Sequence, residues 1–252
     1  MVKSSLLAGG KHYDLLVDWK KRLSYEIPFL IDCFKNIKPP VKTILEVGCG
    51  TGHHAQILHK NWGYKVTGVD IDESMIEEAR IRVPSAELFV HNFLNPDFLL
   101  GRSFDAIISL GNSVGLIASM SDFRNVVTRF SKLIRKPHGI LVFHLLNTEK
   151  ERNGWSAPRS VVTTEGEYIF LRGFTTTEMF IHPEIITLFR PNNGQEWQMT
   201  TTGKANIPRI DIKTMSSLLQ EFGFRDIKVF GNYQRISFQS SSSADMIFKC
   251  HF

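Results

Sequence analysis

Along the first forty residues, apolar positions recur at spacings of three and four: Leu15, Leu16, Trp19, Leu23, Ile27, Leu30 and Phe34, ending at Pro39-Pro40. Such a stripe predicts helical structure with one buried side, placed before the first strand. From Thr43 to Asn147 short β-branched runs alternate with helical stretches. The predicted strands are Thr43 to Val47, Lys65 to Val69, Glu87 to Val90, Phe104 to Ser109 and Gly139 to Leu146. The predicted helices are His53 to Lys60, Glu73 to Arg82 and Asp122 to Ile134, the last capped by Ser121. Strictly alternating elements with fully apolar strands imply a parallel sheet covered on both faces, a doubly wound α/β fold.

The pattern changes after Asn147. Ser160 to Val162, Tyr168 to Leu171, Glu178 to Ile181, Ile185 to Phe189 and Glu196 to Thr202 read as short antiparallel strands joined by Gly, Pro and Asn turns. Asp211 to Phe222 then returns as a helix that stops at Gly223, followed by strands Asp226 to Phe230 and Asp245 to Cys250. No repeat is visible, and Ser240 to Ser243 reads as a loop. The expected organisation is an N-terminal helical cap over 1–42, an α/β core over 43–154 and 208–252, and a small antiparallel β insertion over 155–207 across the mouth of the sheet.

Composition narrows the class. Of 252 residues, 42% are hydrophobic and 22% charged, a profile that excludes disorder and collagen-like repeats. No run reaches the ~18 apolar residues of a membrane span. The stretch Met1 to Gly10 offers only Leu6-Leu7-Ala8 as an apolar core, so a cytoplasmic protein without membrane contact is expected. The net charge of +5 raises the question of nucleic acid, but the longest basic run is Lys20-Lys21-Arg22 and no stripe of cations could follow a phosphate backbone. Nucleic acid is therefore not the expected partner. Cys33, Cys49 and Cys250 are odd in number and far apart, which supports neither a disulfide framework nor a metal site. Cys49 is expected to act as a small filler.

Candidate chemistry sits where the first strand runs into Glu46-Val47-Gly48-Cys49-Gly50-Thr51-Gly52 and then a helix. A strand, glycine turn and helix bring backbone N–H groups close to a ligand. A dinucleotide fingerprint needs its third glycine three positions after the second, where this chain has His53, and no Lys-Ser/Thr pair marks a P-loop. The second strand ends in Asp70, eighteen residues after Gly52, where a carboxylate can accept from both hydroxyls of a ribose.

On these residues the chain resembles the class I S-adenosylmethionine-dependent methyltransferases, whose leading signatures are E/D-x-G-x-G-x-G and an acid closing the second strand. The resemblance covers most of the chain and implies a Rossmann-like, mostly parallel seven-stranded sheet with S-adenosylmethionine as cofactor. It assigns Gly48, Gly50 and Gly52 to the methionine moiety, Asp70 to the ribose and Glu46 to the ammonium group, with Ile71 and Met75 beside the adenine. In His91-Asn92-Phe93, Asn92 replaces the usual Asp and would meet the adenine edge through its carbonyl oxygen, and Phe93 would stack on the base.

A narrower resemblance, carried by Leu110-Gly111-Asn112-Ser113, Tyr13-Asp14 and the Arg22 region, is to glycine N-methyltransferase-like and amino-sugar N,N-dimethyltransferase enzymes. It places the turn that starts at Leu110 beside the sulfonium, Arg22 on the cofactor carboxylate, and Tyr13 and Asn112 on a small-molecule acceptor, expected to be an amine. Glycine-specific members carry an arginine where this chain has Leu146, so glycine is a poor candidate. His144, at the carboxyl end of the fifth strand, is the candidate base, and Arg209 could line the site from the other side. The competing readings keep the cofactor and change the acceptor to an oxygen nucleophile or RNA, or make the chain a non-catalytic cofactor-binding module. The oligomeric state is not legible.

Overall fold

The computed structural model describes residues 9–95, 97–116, 119–194 and 196–252. Two helices, α1 (Gly9–Leu16) and α2 (Trp19–Phe34), come first, separated by Asp18, whose side chain accepts from Lys21 N and caps α2. Next come β1 (Thr43–Val47), α3 (His53–Trp62), β2 (Lys65–Asp70), α4 (Glu73–Arg82), β3 (Glu87–Val90), β4 (Ala106–Ser109), α5 (Met120–Leu133) and β5 (Ile140–Leu146). After the second sheet, α6 (Ile212–Glu221), β12 (Arg225–Phe230) and β13 (Asp245–His251) complete the core. The large sheet has seven strands in the order β12-β13-β5-β4-β1-β2-β3, parallel except at β13. It is the doubly wound arrangement that the alternation predicts.

Strand side chains alternate between two cores. Leu45 and Val47 of β1 join Phe123, Phe130 and Leu219 on the α5/α6 face. Ile44 joins Phe29, Leu30 and Leu58 on the α2/α3 face. Glu46 occupies an inward position on that second face and is 1% exposed. A carboxylate buried in a core row needs partners, which places the site's chemistry there. Helix α5 starts two residues earlier than the expected cap implies, because Ser119, not Ser121, accepts from Asp122 N.

The second sheet is antiparallel and six-stranded, formed by β6 (Gly154–Trp155), β7 (Arg159–Val162), β8 (Gly166–Thr176), β9 (Phe180–Pro191), β10 (Gln198–Lys204) and β11 (Ile207–Pro208). Two short predicted strands prove to be one, β9, running through Pro183. Tyr168, Phe170 and Ile185 pack against Leu16 and Tyr13 of α1, so this sheet faces the N-terminal helices. Arg209 does not line the site: it donates to the carbonyls of Thr148, Glu149 and Thr177, pinning the second sheet to the core. Among the described residues no helix is long and apolar enough to cross a membrane.

Candidate active site

The turn after β1 is built on left-handed backbone. Gly48, Gly50 and Gly52 have φ of 72°, 53° and 79°. A Cβ at Gly48 would strike Ser113 at 2.3 Å, so only glycine lets the turn after β4 close on the turn after β1. The backbone N–H of Gly50 donates to Asp70 Oδ2 at 2.9 Å, and that of Asp72 donates to Oδ1 at 3.0 Å. A carboxylate has about four accepting positions, so Asp70 keeps accepting capacity beside these backbone donors. Burial raises the Asp70 pKa above its ordinary 3.8 despite those backbone donors.

Glu46 opens onto a buried polar chain. Its Oε1 lies 3.2 Å from His54 Nδ1, and His54 Nε2 lies 2.5 Å from Glu26 Oε2. Glu26 also accepts from Arg22 Nε at 2.9 Å, and Arg22 Nη1 donates to the Tyr13 hydroxyl at 3.3 Å. Burial opposes the charge on His54, but its hydrogen bonds to Glu26 and Glu46 outweigh that and raise its pKa to about 9. Burial would likewise raise Glu26, yet the His54 hydrogen bond and the charges of His54 and Arg22 bring it down to about 2. Burial raises the Tyr13 phenol above 10.0 against the pull of Arg22, so it stays protonated. Glu46 Oε2 is buried and has no hydrogen-bond partner among the described residues.

A second set fastens α1 across the glycine turn. Asp14 accepts from Thr51 Oγ1 at 2.6 Å and from Trp19 Nε1 at 3.1 Å, and pairs with Arg82 at 2.6 Å. Trp19 stacks on His53 with ring centroids 4.0 Å apart. The Tyr13 ring is thereby held over Gly50, with Cε1 3.7 Å from where a Cβ would be.

These residues share one edge of the sheet with the remaining candidates. Arg22, expected on a cofactor carboxylate, is committed to Glu26 and Tyr13 through Nε and Nη1, while its Nη2 lies against Gly111. Asn112 has φ of 66°, and its Oδ1 accepts from Leu146 N at 2.8 Å, which ties the turn after β4 to the end of β5. His144 Nε2 lies 3.0 Å from Asp245 Oδ1, and its ring meets Tyr233 edge-on. Ile71 is exposed just past β2, and Met75 is buried in α4. Two expectations change, and one gains a constraint. Asn92 Oδ1 accepts from Leu94 N at 3.0 Å in its own turn, which leaves one lone pair for an adenine edge. Phe93 is a core residue against Phe130 with Arg129 over its ring, not a free stacking surface. The Leu110 side chain is buried in the α2/α3 core, leaving its backbone for the turn. Cys49 is a buried filler against Ile76 and Ala79, as expected.

The sequence reading missed Glu26, His54 and Tyr233. Glu26 carried a signal: it lies on the apolar stripe of α2, four residues from Arg22.

Comparison with known proteins decides the family. A methyltransferase domain model matches residues 44–139. The chain is 32% identical over 180 residues to the dTDP-3-amino-3,4,6-trideoxy-alpha-D-glucopyranose N,N-dimethyltransferase of Streptomyces venezuelae, covering 69% of this chain and 73% of that enzyme. The chain belongs to the S-adenosylmethionine-dependent methyltransferases. It is also 26% identical over 229 residues to the glycine/sarcosine N-methyltransferase of Parasynechococcus marenigrum, covering 88% of this chain and 76% of that protein. In fold, the methyltransferase resembles the crystal structure of Streptomyces venezuelae DesVI, with a TM-score of 0.78 at 21% identity over 95% of this chain and 96% of that one. The S-adenosylmethionine-bound amino pentose methyltransferase CalS10 of Micromonospora echinaspora gives 0.73 at 17% identity, covering 95% and 94%.

The residues fit the cofactor. The orphaned Glu46 oxygen is a buried acceptor that an ammonium would satisfy, removing a desolvation cost of about 1–3 kcal/mol. The left-handed glycines leave bare backbone beneath Tyr13, and Asp70 offers two accepting oxygens next to Gly50.

Proposed function

We propose that this methyltransferase methylates the nitrogen of a small-molecule amine. The observation that carries the amine reading is the match over most of the chain to an enzyme named for N,N-dimethylation of an amino sugar. Glu46 would hold the cofactor ammonium, Asp70 the ribose, and Arg22, through Nη2, the carboxylate. When bound, S-adenosylmethionine supplies a methyl group on a sulfur that is its own leaving group. The protein's part is alignment in a dry pocket, and alignment can contribute up to ~7–11 kcal/mol of barrier lowering.

In this reading, residues 155–207 form the roof of the acceptor pocket, and α1 and α2 form its wall. Tyr13 orients the acceptor through a hydroxyl that stays protonated, and Asn112 holds the turn beneath it. The amine must be neutral to attack, and His144, whose buried ring nitrogens have no hydrogen-bond partner among the described residues and whose Nε2 lies 3.0 Å from Asp245 Oδ1, would receive its proton. A panel of amines, amino sugars and phenols, assayed by release of S-adenosylhomocysteine, tests the assignment: amines turn over and hydroxyl compounds do not. Turnover of hydroxyl compounds alone removes it.

A further inference from the structure

The loop between β12 and β13 packs on α2, with Tyr233 edge-on to Phe29 and Arg235 2.7 Å from Asp32, and it delivers polar groups to the end of β5 that the fold leaves incomplete. Strand pairing places Asp245 there. His144 of β5 pairs with Ile247 of β13, and Asp245, two residues earlier, shares the face of Ile247 and His144. His144 Nε2 lies 3.0 Å from Asp245 Oδ1, in contact but not aligned as a hydrogen bond, and both ring nitrogens are buried without a hydrogen-bond partner among the described residues. Asp245 makes no other ion pair and no hydrogen bond among those residues. Tyr233 meets the His144 ring edge-on at 5.8 Å, and its hydroxyl is also buried and unpartnered among them.

Asp245 faces outward as well as inward. With Asn232, Ile236, Ser242 and Ser243 it lines a cavity of about 250 Å³, and because Ile236 and Ser242 are exposed, that cavity reaches solvent. The Asp245 side chain is 28% exposed, against 12% for His144. The cavity wall is fixed from the core side: Asn147 Nδ2, three residues past His144, donates to Ser240 O at 2.8 Å and to Ser243 O at 2.9 Å. Gly231 N closes the other side by donating to Ile236 O at 2.7 Å. Two further charges lie in reach. Arg152 donates to Ala244 O beside Asp245, and Glu26 of α2 is within the field of His144. Asp245 thus spans a buried imidazole and open solvent.

We propose that Asp245 is the proton exit of the site: it takes from His144 the proton that each methyl transfer to an amine releases and passes it to solvent in the cavity between β12 and β13. The proposal rests on the amine-methyltransferase reading and adds the route by which its base is reset. Asp245 touches no reacting atom, so it is a positioning residue that acts through His144. The step balances. As the C–N bond forms, the C–S bond breaks and its electron pair stays on sulfur. One N–H bond of the amine breaks as one forms on a His144 ring nitrogen, and the proton on the opposite ring nitrogen leaves for Asp245 Oδ1 and then for water. His144 ends neutral, and nothing is oxidised or reduced. Burial of both ring nitrogens makes an exit necessary, since solvent does not touch the imidazole directly. A contact that is short but misaligned in the empty site suits a transfer that tightens when the site fills.

The test uses the full chain, isotopically labelled at its histidine ring nitrogens and saturated with S-adenosylhomocysteine. Magnetic resonance reads how fast the His144 ring proton exchanges with water, and His144→Gln identifies its signal. Asp245→Asn should slow that exchange about tenfold or more. In Asp245→Ala, formate, a small carboxylate that the enlarged cavity admits, should restore it. Affinity for S-adenosylhomocysteine should stay within twofold in both variants, which also confirms that they fold. Equal exchange in wild type and D245N overturns the proposal. Slow exchange in D245A that formate does not restore also overturns it, by making Asp245 a structural brace of the loop. With an amine that turns over, D245N should lose about tenfold in kcat while acceptor KM and the single-turnover rate stay within twofold, because His144 still takes the first proton. A single-turnover rate that falls as far as kcat overturns the exit role. The amine reading fails separately: exchange that depends on Asp245, with no amine methylated, removes that reading and leaves the proton path standing.

Discussion

Two aspartates at opposite edges of the large sheet separate structural from site carboxylates. Asp105, at the amino-terminal edge, accepts at 2.9 Å from Lys42 N, Thr43 N and Thr43 Oγ1 and pairs with Arg135 at 2.5 Å. Burial would raise its pKa, but those donors outweigh it and the group lies below 3.8. Asp70, at the carboxyl edge, is held by backbone N–H donors, Gly50 N on Oδ2 and Asp72 N on Oδ1, and burial wins. Glu46, on the same edge, leaves one buried oxygen without a partner. The amino edge is finished as folded. The carboxyl edge keeps accepting capacity that a ligand must complete, and this is where strand ends bind ligands in open α/β sheets.

The largest effect is expected at His54, because removing one member of a buried charged chain costs about 3–5 kcal/mol. His54→Gln should lower the thermal midpoint near neutral pH by roughly 10 °C. The pH dependence follows from the direction of its shift. With a folded pKa of about 9 against 6.5 unfolded, its stabilisation is complete below 6.5 and is lost as pH rises through 9. Glu26, at about 2 against 4.5, acts on the other side: its contribution is present above 4.5 and lost as pH falls through 2. Thermal melts from pH 6 to 9.5 should show a downward slope in the wild type and a flatter one in H54Q. Equal slopes would mean that the bridge is not charged.

The next comparison exchanges the two edges. Asp105→Asn should cost about 3 kcal/mol of stability, roughly 10 °C, and leave S-adenosylhomocysteine affinity within threefold. Glu46→Gln should do the reverse, weakening that affinity about 100-fold, or ~2.7 kcal/mol, with a smaller loss in melting temperature. If both variants lose affinity and stability alike, the distinction between finished and unfinished edges is wrong.

Asp70→Ala follows, with about a 30-fold loss of affinity from two hydroxyl contacts. Unchanged calorimetric affinity would remove the ribose assignment.

How far the sequence alone could go depended on whether a feature was local. Strands β1 and β3 and helix α4 have the expected bounds, because alternation, caps and glycines act within a few residues. The division of β9 at Pro183 was misread because proline usually interrupts a ladder. Pro183 lies in the gap between β10, which pairs through Glu184, and β11, which pairs through Ile181, so no strand on that edge requires its missing N–H. The glycine turn and Asp70 were legible as a motif. The chain from Tyr13 through Arg22, Glu26 and His54 to Glu46 was not, since its members come from four elements that meet only in the fold. Phe93 misled for a related reason: in sequence, an aromatic that fills the core looks the same as one that stacks on a base.

The smallest expected effect concerns Tyr13, where ring and hydroxyl can be separated. The ring lies over Gly50, and the hydroxyl accepts from Arg22 at 3.3 Å. Tyr13→Phe keeps the cover over the glycine turn, so affinity for S-adenosylhomocysteine should stay within twofold. Losing one hydrogen bond to the acceptor should lower kcat about 5- to 10-fold, in line with ~1 kcal/mol for a single such contact. Since burial keeps the phenol protonated, the pH-rate profile should keep its shape. Tyr13→Ala removes the cover as well and should weaken the cofactor analogue several-fold. A changed pH profile in Y13F would make the hydroxyl a proton carrier, and the task assigned to His144 would pass to α1.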